Sequence, residues 1–517
     1  MKHRILALVL TLACLLPSAA LAESVFPLEE PVTFTVAYNK RVDSSAFAEM
    51  DFFKRAEEDT GVIVEWIEWP SASLAEKKQL AFATGDLPDI ILGPGTLSNT
   101  EVISYASQGF LVQLDGLIEE YCPNLMDIYE RRPDLRISST LADGHIYSIP
   151  AISEGLEDSN QAFMVNVEWL EELGLEVPTT LDEFHECLRA IKGYDYNQNG
   201  VDDEIPWSFT LGNGDHHISG LDGFFGAFGM AVSNSRYYLD GDTVVYCYAS
   251  DAYKEGFKYL HTLYSEGLID IEFATMDQAA FEAKCTATPK LVCFTQYWSE
   301  DNLNSVYGEK VYTAIPPLVG VDGERHWSRR IYALSLNGIS ITSACENVEL
   351  ALQWADYFVD PEKGIEQRFG MIGTWLEKTE DGQYRKLQTE EGAYPVAADL
   401  VKSVPHWPFT PCIAEDTRKV ISDQVDNKLE NCAIYTEYLS DAADCFPTGL
   451  VYTDAESEEL AFLETDVETY ALQMAVDFIV NGGIDERWDE YIATLNGIGL
   501  ETMLEIQQTA YDRSKAQ

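Results

Sequence analysis

Oxygen-bearing side chains recur at alternate positions in residues 195–206, where Asp195, Asn197 and Asn199 precede Gly200. Glycine lets a chain turn sharply back over whatever such oxygens surround. A calcium loop has this pattern, because Ca²⁺ takes about six to eight oxygen ligands from alternating positions and a backbone carbonyl at position seven. The predicted metal ligands are the side chains of Asp195, Asn197, Asn199, Asp203 and Glu204 and the carbonyl of Val201.

The loop departs from an EF-hand at position twelve, where Pro206 replaces the bidentate glutamate. Because Asp203 and Glu204 are adjacent, we expect them to close the cage together around a structural Ca²⁺ ion. Oxygen donors without sulfur or imidazole favour calcium over zinc or copper. The alternative interpretation is an ordinary surface turn rich in Asn and Gly.

An amphipathic helix is predicted immediately before the loop. Thr180 and Glu183 have the spacing of a capping box, and Gly193 follows the last apolar residue. One apolar face is predicted to contain Phe184, Cys187, Leu188 and Ile191. The loop is therefore expected to follow a packed helix.

The amino terminus has the features of a secretory signal peptide. Lys2 and Arg4 precede an apolar run over residues 5–16, and an A-x-A site ends at Ala22. Residues 1–22 are therefore predicted to be removed from a secreted, extracellular protein that is associated with the cell envelope. Cys14 lies within the apolar run and is a poor match to a lipoprotein signal, so a released protein is favoured over a lipid-anchored one.

The formal net charge of the 517-residue chain is −53. This charge repels phosphate backbones and anionic membranes, so nucleic-acid binding is not expected. Nine cysteines remain after the signal peptide, an odd number that contains no C-x-x-C pair. Whether any of them form disulfides stays open.

Strand and helix patterns alternate over residues 32–92. Predicted strands at 32–38, 62–66 and 90–92 are separated by predicted helices, which indicates an α/β fold with a parallel sheet. Ligands bind beyond the carboxyl ends of such strands. Here those ends are Tyr38 and Asn39, Trp69, and the glycine-rich residues 93–95.

An ordered series of motifs resembles a known family. The series includes Thr84-Gly85-Asp86-Leu87-Pro88-Asp89, Asp143-Gly144-His145-Ile146-Tyr147, Trp169-Leu170, Phe369-Gly370, and a carboxyl-terminal Trp488…Tyr491…Tyr511-Asp512-Arg513. Together they resemble extracellular solute-binding proteins of carbohydrate ABC importers, in the subgroup that includes lipoprotein-type and alginate-binding members. The resemblance covers nearly the whole chain.

This resemblance implies a periplasmic-binding-protein-like type II fold, with two α/β lobes joined by a hinge. We expect lobe 1 to contain residues 23–152 and 315–390, and lobe 2 to contain residues 153–314 and 391–517. The second part of lobe 2 is expected to be helical. The implied partners are a carbohydrate of the oligosaccharide class and the permease subunits of an ABC transporter, and the protein itself is expected to be a monomer. Members similar to alginate binders carry calcium on a loop of this form.

Sugar recognition requires aromatic rings for stacking and planar polar groups for hydroxyls. Each aromatic candidate has a core or surface role as its alternative. The predicted ligand-binding residues are Tyr38, Asn39, Trp69, Asp89, Glu154, Trp207, Gln296, Tyr297, Trp298, Trp327, Arg329 and Trp375. Arg329 and Arg330 could hold a carboxylate or sulfate of the ligand, with local salt bridges as the alternative.

Serine-hydrolase, zinc-protease and P-loop signatures are missing from the sequence. The function expected is therefore non-enzymatic capture of a carbohydrate and its delivery to a permease. A secreted polysaccharide-active enzyme and a ligand-binding sensor or adhesin on the same fold are the alternatives. The pair His216-His217 lacks a third ligand at the spacing of a transition-metal site.

Overall fold

The computed structural model describes residues 25–515, except 156–157, 160, 212–220, 231–232, 234, 299 and 389–396. The predicted signal peptide and the His216-His217 pair lie outside the described residues. None of the described helices is long and apolar enough to cross a membrane.

Fifteen strands are described. They are β1 (Val32–Lys40), β2 (Val62–Pro70), β3 (Ile90–Leu92), β4 (Ser148–Ser153), β5 (Ala162–Asn166), β6 (Ile205–Ser208), β7 (Tyr237–Asp240), β8 (Thr243–Tyr246), β9 (Val292–Tyr297), β10 (Tyr312–Ile315), β11 (Ser335–Ile341), β12 (Leu376–Lys378), β13 (Tyr384–Lys386), β14 (Pro411–Cys412) and β15 (Val420–Ile421).

Twenty α-helices are described. They are α1 (Asp51–Thr60), α2 (Leu74–Thr84), α3 (Asn99–Ser107), α4 (Asp115–Tyr121), α5 (Pro123–Arg131), α6 (Pro133–Ser139), α7 (Val167–Leu173), α8 (Leu181–Ile191), α9 (Asp222–Phe225), α10 (Asp251–Ser265), α11 (Gln278–Cys285), α12 (Glu300–Tyr307), α13 (Val348–Val359), α14 (Pro361–Phe369), α15 (Ala397–Leu400), α16 (Ala414–Thr417), α17 (Asp423–Ala433), α18 (Asp454–Asn481), α19 (Ile484–Ile498) and α20 (Leu500–Lys515).

The first sheet has six strands in the order β14-β4-β11-β3-β1-β2. Strand β1 is parallel to β2 and β3, and β14 is parallel to β4. Strand β11 is antiparallel to both β3 and β4. The carboxyl ends of β1, β2, β3, β4 and β14 therefore lie along one edge, where β11 begins. This arrangement confirms the predicted α/β fold class.

The second sheet has four strands in the order β10-β5-β9-β6. Strand β5 is antiparallel to β9 and β10, and β6 is parallel to β9. Strand β10 therefore belongs to the second sheet, and the chain re-enters the first sheet only at β11.

Two large hydrophobic cores surround these sheets. The first contains buried residues from 34–152 and 334–413, and the second contains buried residues from 162–327 and 435–511. The chain therefore crosses between the cores three times. Residues 318–327 pack in the second core and 400–413 in the first, so these crossings fall later in the chain than the expected lobe boundaries. The division into lobes stays a prediction.

The helix before the predicted cation loop forms as expected. Helix α8 buries Phe184, Cys187, Leu188 and Ile191. The Thr180 hydroxyl accepts the backbone N–H of Glu183 at 3.1 Å. The return bond of the capping box differs, because the Glu183 carboxylate accepts the N–H and hydroxyl of Thr179. The cap therefore spans one residue more than predicted.

Nine cysteines are free thiols in the described structure, and all except Cys432 are buried. Burial raises the pKa of the Cys187 and Cys412 thiols to about 12. A thiol that keeps its proton is a poor nucleophile, so these side chains act as small apolar groups.

A buried carboxyl caps α5 in place of a side chain from its own N-terminus. Asp356 on α13 accepts the backbone N–H groups of Asn124 at 3.0 Å and Leu125 at 2.9 Å. Asp356 is 4% exposed, and burial raises the pKa of its carboxyl to about 6. The unfolded chain releases this proton near pH 3.9. The folded protein therefore holds the proton over a pH range in which the unfolded chain has lost it.

This carboxyl predicts a pH-dependent stability. Its contribution is fully present below about pH 4 and is lost as the pH rises through about 6, by on the order of 2–3 kcal/mol. Urea unfolding of the wild type and of Asp356→Asn at several pH values measures it. We expect the wild type to lose stability relative to the variant between pH 4 and 7. Parallel stability profiles of the two proteins would contradict the prediction.

Candidate functional site

A cavity of about 710 Å³ lies beyond the carboxyl ends of β1 and β3. Tyr38 and Asn39 from β1 line it together with the glycine-rich residues 93–95 that follow β3. The sequence analysis expected ligand contacts at these strand ends. The other side of the cavity is formed by residues of the chain around Trp407.

A second cavity, of about 860 Å³, continues along the same edge of the sheet. Its walls come from both cores: residues 151–153 and 335–336 belong to the first sheet, whereas Tyr237 and Glu464 belong to the second core. Both cavities are lined by Pro94 and Trp407. Together they form one cleft between the two cores, with Trp407 at the junction.

Trp407 was not predicted from the sequence, although its position makes it the most prominent aromatic side chain of the cleft. It is 56% exposed. Pro405 and Pro408 flank it nearby, and His406 has a left-handed backbone with φ of 64°. Left-handed non-glycine residues are uncommon and cost about 1–3 kcal/mol, and they cluster at functional sites. The sequence Pro-His-Trp-Pro at residues 405–408 is the signal from which an exposed Trp407 could have been predicted.

The backbone around this segment is tightly packed. A Cβ atom at Gly338 in β11 would lie 2.4 Å from the carbonyl oxygen of Phe409 and 2.7 Å from that of Ile149. Only glycine permits this approach. The segment that carries Trp407 is therefore fixed directly against the first sheet.

Tyr38 and Asn39 are held by contacts within the first core. The Tyr38 hydroxyl donates to Glu68 at 3.1 Å and accepts the N–H of Phe47 at 3.0 Å, and its ring stacks on Phe47 at 3.8 Å. The Asn39 side-chain oxygen accepts the Ser71 hydroxyl at 2.8 Å. The side chain of Asn39 is thus oriented at the cavity wall.

Three other predicted residues have structural contacts in the first core. Asp89 accepts the N–H and hydroxyl of Thr35 at 2.8 and 2.7 Å, which links β3 to β1. Trp69 is 4% exposed, and the Trp375 indole N–H donates to the Ser403 hydroxyl at 3.0 Å. Within the described residues, neither cavity is lined by Asp89, Trp69 or Trp375.

Glu154 lies where the chain leaves the first core. It forms an ion pair with Arg132 at 2.6 Å and accepts the backbone N–H of Ala414 at 2.7 Å. Its own backbone carbonyl accepts the Arg368 guanidinium at 2.7 Å. Glu154 therefore joins the first and third crossings between the cores.

Trp207 and Trp327 lie in the second core, the alternative that the sequence analysis left open. Trp207 is completely buried against Phe209 and other rings, with its centroid 4.7 Å from that of Phe209. Trp327 is 2% exposed, stacks on Tyr435 at 4.7 Å and donates its indole N–H to the carbonyl of Gln161. Both rings are packed on the inside of the protein.

The remaining predicted residues are near the end of β9. Tyr297 donates its hydroxyl to Glu282 at 2.5 Å, and Trp298 is 43% exposed with the Lys428 ammonium 5.3 Å from its ring centre. Gln296 is 2% exposed, and both polar atoms of its amide are buried without a hydrogen-bond partner. Such a group costs free energy unless it gains a partner, but Gln296 lines neither cavity.

Arg329 is engaged by the protein itself. Its side chain donates to the backbone carbonyl of Ser440 at 2.6 Å. The guanidinium of Arg330 lies 5.0 Å from the ring centre of Tyr332 and lines the larger cavity. The assignment of all twelve predicted residues as ligand contacts stays a prediction.

The predicted cation loop folds around its own first carboxylate. Asp195 accepts the backbone N–H groups of Asn199 at 3.0 Å and Gly200 at 2.9 Å. The side-chain oxygens of Asn197 and Asn199 accept N–H groups two residues further along. Gly200 has a φ of 77°, as the sharp turn requires.

The acidic end of the loop faces the same residues. Asp203 accepts the side-chain amides of Asn197 at 3.1 Å and Asn199 at 3.0 Å. One oxygen of Glu204 accepts the N–H of Asn197 at 3.1 Å, while its other oxygen is buried and has no hydrogen-bond partner. A buried, unpartnered carboxylate oxygen is costly and fits a cation.

The described residues nevertheless contain no group of three His, Cys, Asp or Glu side chains already arranged around one metal position. The two asparagine amides direct their N–H groups, which are donors, at Asp203. Binding a cation would require these amides to turn. The side-chain and carbonyl atoms of the loop that could coordinate an ion are all oxygens, which suit Ca²⁺.

Residues 42–365 match the family described as bacterial extracellular solute-binding protein. The chain belongs to that family. The match covers most of the chain and includes β2 to β11, which contribute to both sheets and to the cleft. This result confirms the family resemblance inferred from the motifs.

Three relatives illustrate the similarity. The fructooligosaccharide ABC transporter substrate-binding protein FusA of Streptococcus pneumoniae is 30% identical over 97% of this chain and 94% of its own length. Its structure in complex with kestose has a TM-score of 0.80 at 29% identity, over 94% of this chain and 99% of that chain. An EF-hand mutant of FusA has also been solved, with a TM-score of 0.79, 28% identity and the same two coverages.

An HMO-binding, ABC-transporter-associated solute-binding protein of Bifidobacterium longum infantis has a TM-score of 0.80 at 25% identity, over 94% of this chain and 99% of that chain. The alginate-binding protein AlgQ2, solved without calcium ion, has a TM-score of 0.73 at 21% identity over 95% of this chain and all of that chain. The second likeness supports the fold alone. The periplasmic-binding-protein-like fold is thereby confirmed.

Proposed function

We propose that this protein captures an oligosaccharide in the cleft between its two cores and delivers it to the permease of an ABC transporter. The observation that carries the proposal is the cleft itself, formed by both cores at the carboxyl edge of the first sheet. The FusA and HMO-binding relatives, named for oligosaccharide ligands and ABC transport, support it.

The chemistry of the cleft suits a sugar. Trp407 offers an exposed aromatic face on which a sugar ring can stack, and Asn39 supplies an amide for hydroxyl groups. Backbone atoms of residues 93–95 add donors and acceptors at the strand end. A mixture of one broad ring and several small polar groups is typical of ligand pockets.

The proposed role requires no catalysis, and the protein acts as a secreted receptor. Residues 1–22 form the signal that exports it, and it works as a monomer at the outer face of the cell envelope. The family membership and the relatives' role as substrate-binding proteins support this proposal.

We further propose that residues 195–206 bind a structural Ca²⁺ ion. Asp195, Asp203 and Glu204 supply carboxylate oxygens, and bound calcium would neutralise their mutual repulsion. The all-oxygen donor set, the unpartnered Glu204 oxygen and the EF-hand of the FusA relative support the proposal. The loop follows α8 in the second core, so the ion stabilises that core without contacting the sugar.

Ligand binding is predicted to depend on Trp407. A thermal-shift screen against an oligosaccharide library identifies ligands, because ligand at 100 times its Kd adds about 2.7 kcal/mol of stability. We expect Trp407→Ala to weaken binding of the best ligand by at least about tenfold. Phe462→Ala is the matched control, since Phe462 is 77% exposed on α18 and does not line the cleft.

Chromatography of the ligand after incubation separates a receptor from an enzyme. A receptor returns the ligand unchanged, whereas a glycan-cleaving enzyme releases smaller products.

Equal affinities of Trp407→Ala and the wild type for the best ligand would rule out Trp407 as the stacking residue.

Calcium is predicted to stabilise the protein. Stripping it with a chelator should lower the melting temperature, and added calcium should restore it. The Asp195→Ala, Asp203→Ala double variant should melt low under both conditions, because it lacks two ligands. Asp202→Ala is the control, since this exposed acid lies between the ligand positions and should retain the calcium response. Equal melting of the wild type in chelator and in millimolar calcium would leave the segment as a polar turn.

A further inference from the structure

The charged side chains that line the cleft already contact other side chains of the protein. The described residues that line the two cavities include three arginines and two carboxylates: Arg41, Arg236, Arg330, Asp43 and Glu464. A cleft built for an anionic sugar would direct arginines at the ligand carboxylates. The partners of these arginines therefore indicate which ligands the cleft accepts.

Arg41 is the arginine that lines the smaller cavity, and both carboxylate oxygens of Asp43 bind its guanidinium. The Arg41 Nε donates to Asp43 Oδ1 at 3.0 Å, and Nη2 donates to Oδ2 at 2.8 Å. This bidentate pairing raises the pKa of Arg41 and lowers that of Asp43. Both side chains are partly exposed, so the pair adds little to stability. The ion pair occupies the Nε–Nη2 edge of the Arg41 guanidinium, which a ligand carboxylate would otherwise bind.

The larger cavity repeats this arrangement. Arg236 forms an ion pair with Glu468 on α18, one turn from Glu464. The Arg330 guanidinium packs against the ring of Tyr332. The guanidinium groups of Arg41 and Arg236 are therefore bound by carboxylates of the protein, and that of Arg330 contacts an aromatic ring.

Glu464 is the acid that lines the larger cavity, and its hydrogen-bond partners are neutral. One of its carboxylate oxygens accepts the Tyr237 hydroxyl at 3.0 Å and the Gln507 amide at 3.0 Å. The Gln507 carbonyl in turn accepts the Tyr452 hydroxyl at 2.6 Å. This network offers hydrogen-bond acceptors to sugar hydroxyls and a negative charge to any sugar carboxylate.

We infer that the cleft selects uncharged oligosaccharides and rejects chains of uronic acids. A uronate buried here would lose its water, would have to compete with the carboxylates already bound to Arg41 and Arg236, and would face Glu464. The net charge of −53 adds a long-range repulsion of anions. This inference rests on the proposed function and specifies the chemical class of its ligand.

Calorimetric titration at physiological salt tests the inference with two matched panels. The neutral panel contains kestose, maltotriose and xylotriose, and the acidic panel contains trigalacturonate and trimannuronate. We expect the best ligand to come from the neutral panel. A best ligand from the acidic panel would overturn the inference and leave oligosaccharide capture intact. Failure of both panels with a correctly folded protein would overturn the proposed function as well.

The variant Asp43→Asn tests the physical cause. It keeps the shape of the side chain but releases Arg41, so the ratio of acidic to neutral affinity should rise by about tenfold. Asp489→Asn makes the same change of charge on the exposed side of α19, away from the cleft, and should leave the ratio unchanged. An equal ratio in Asp43→Asn and Asp489→Asn would show that pairing of Arg41 is not the source of selectivity.

Discussion

The pairing of three neighbouring strands is the constraint on which the rest of the structure depends. Strand β4 lies between β11 and β14, and each of these strands adjoins a crossing between the two cores. All three crossings therefore leave the first core along one edge of its sheet. The same edge carries Tyr38, Asn39 and the cleft. The proposed binding site and the proposed hinge thus lie along the same edge, and Glu154 links two of the crossings there.

Local patterns predicted the first part of the chain well, because each signal there is short-range. Short strand patterns indicated β1, β2 and β3, and the left-handed Gly61 separates α1 from β2. Return points between cores were harder to predict. Strand β10 is assigned to the second sheet only by its long-range pairing with β5.

Aromatic residues show a similar limit of sequence analysis. Trp207, Trp327 and Trp407 are the same residue type, and each lies next to small or polar residues in the sequence. Two are buried because strands and helices pack on both faces of their rings, whereas Trp407 is exposed because the tight approach at Gly338 fixes its segment at the cleft. The sharp turn at Gly200 was easier to predict, since its polar residues are close in sequence, although the orientation of the two asparagine amides was not.

The central claim is that the two cores close on an oligosaccharide held between them. Hinge closure of this kind brings two domains together around their ligand. Small-angle X-ray scattering of the protein, with and without a saturating oligosaccharide identified by the thermal-shift screen, tests the claim most directly. The account predicts a smaller radius of gyration in the saturated sample. An unchanged radius of gyration at saturation would contradict it.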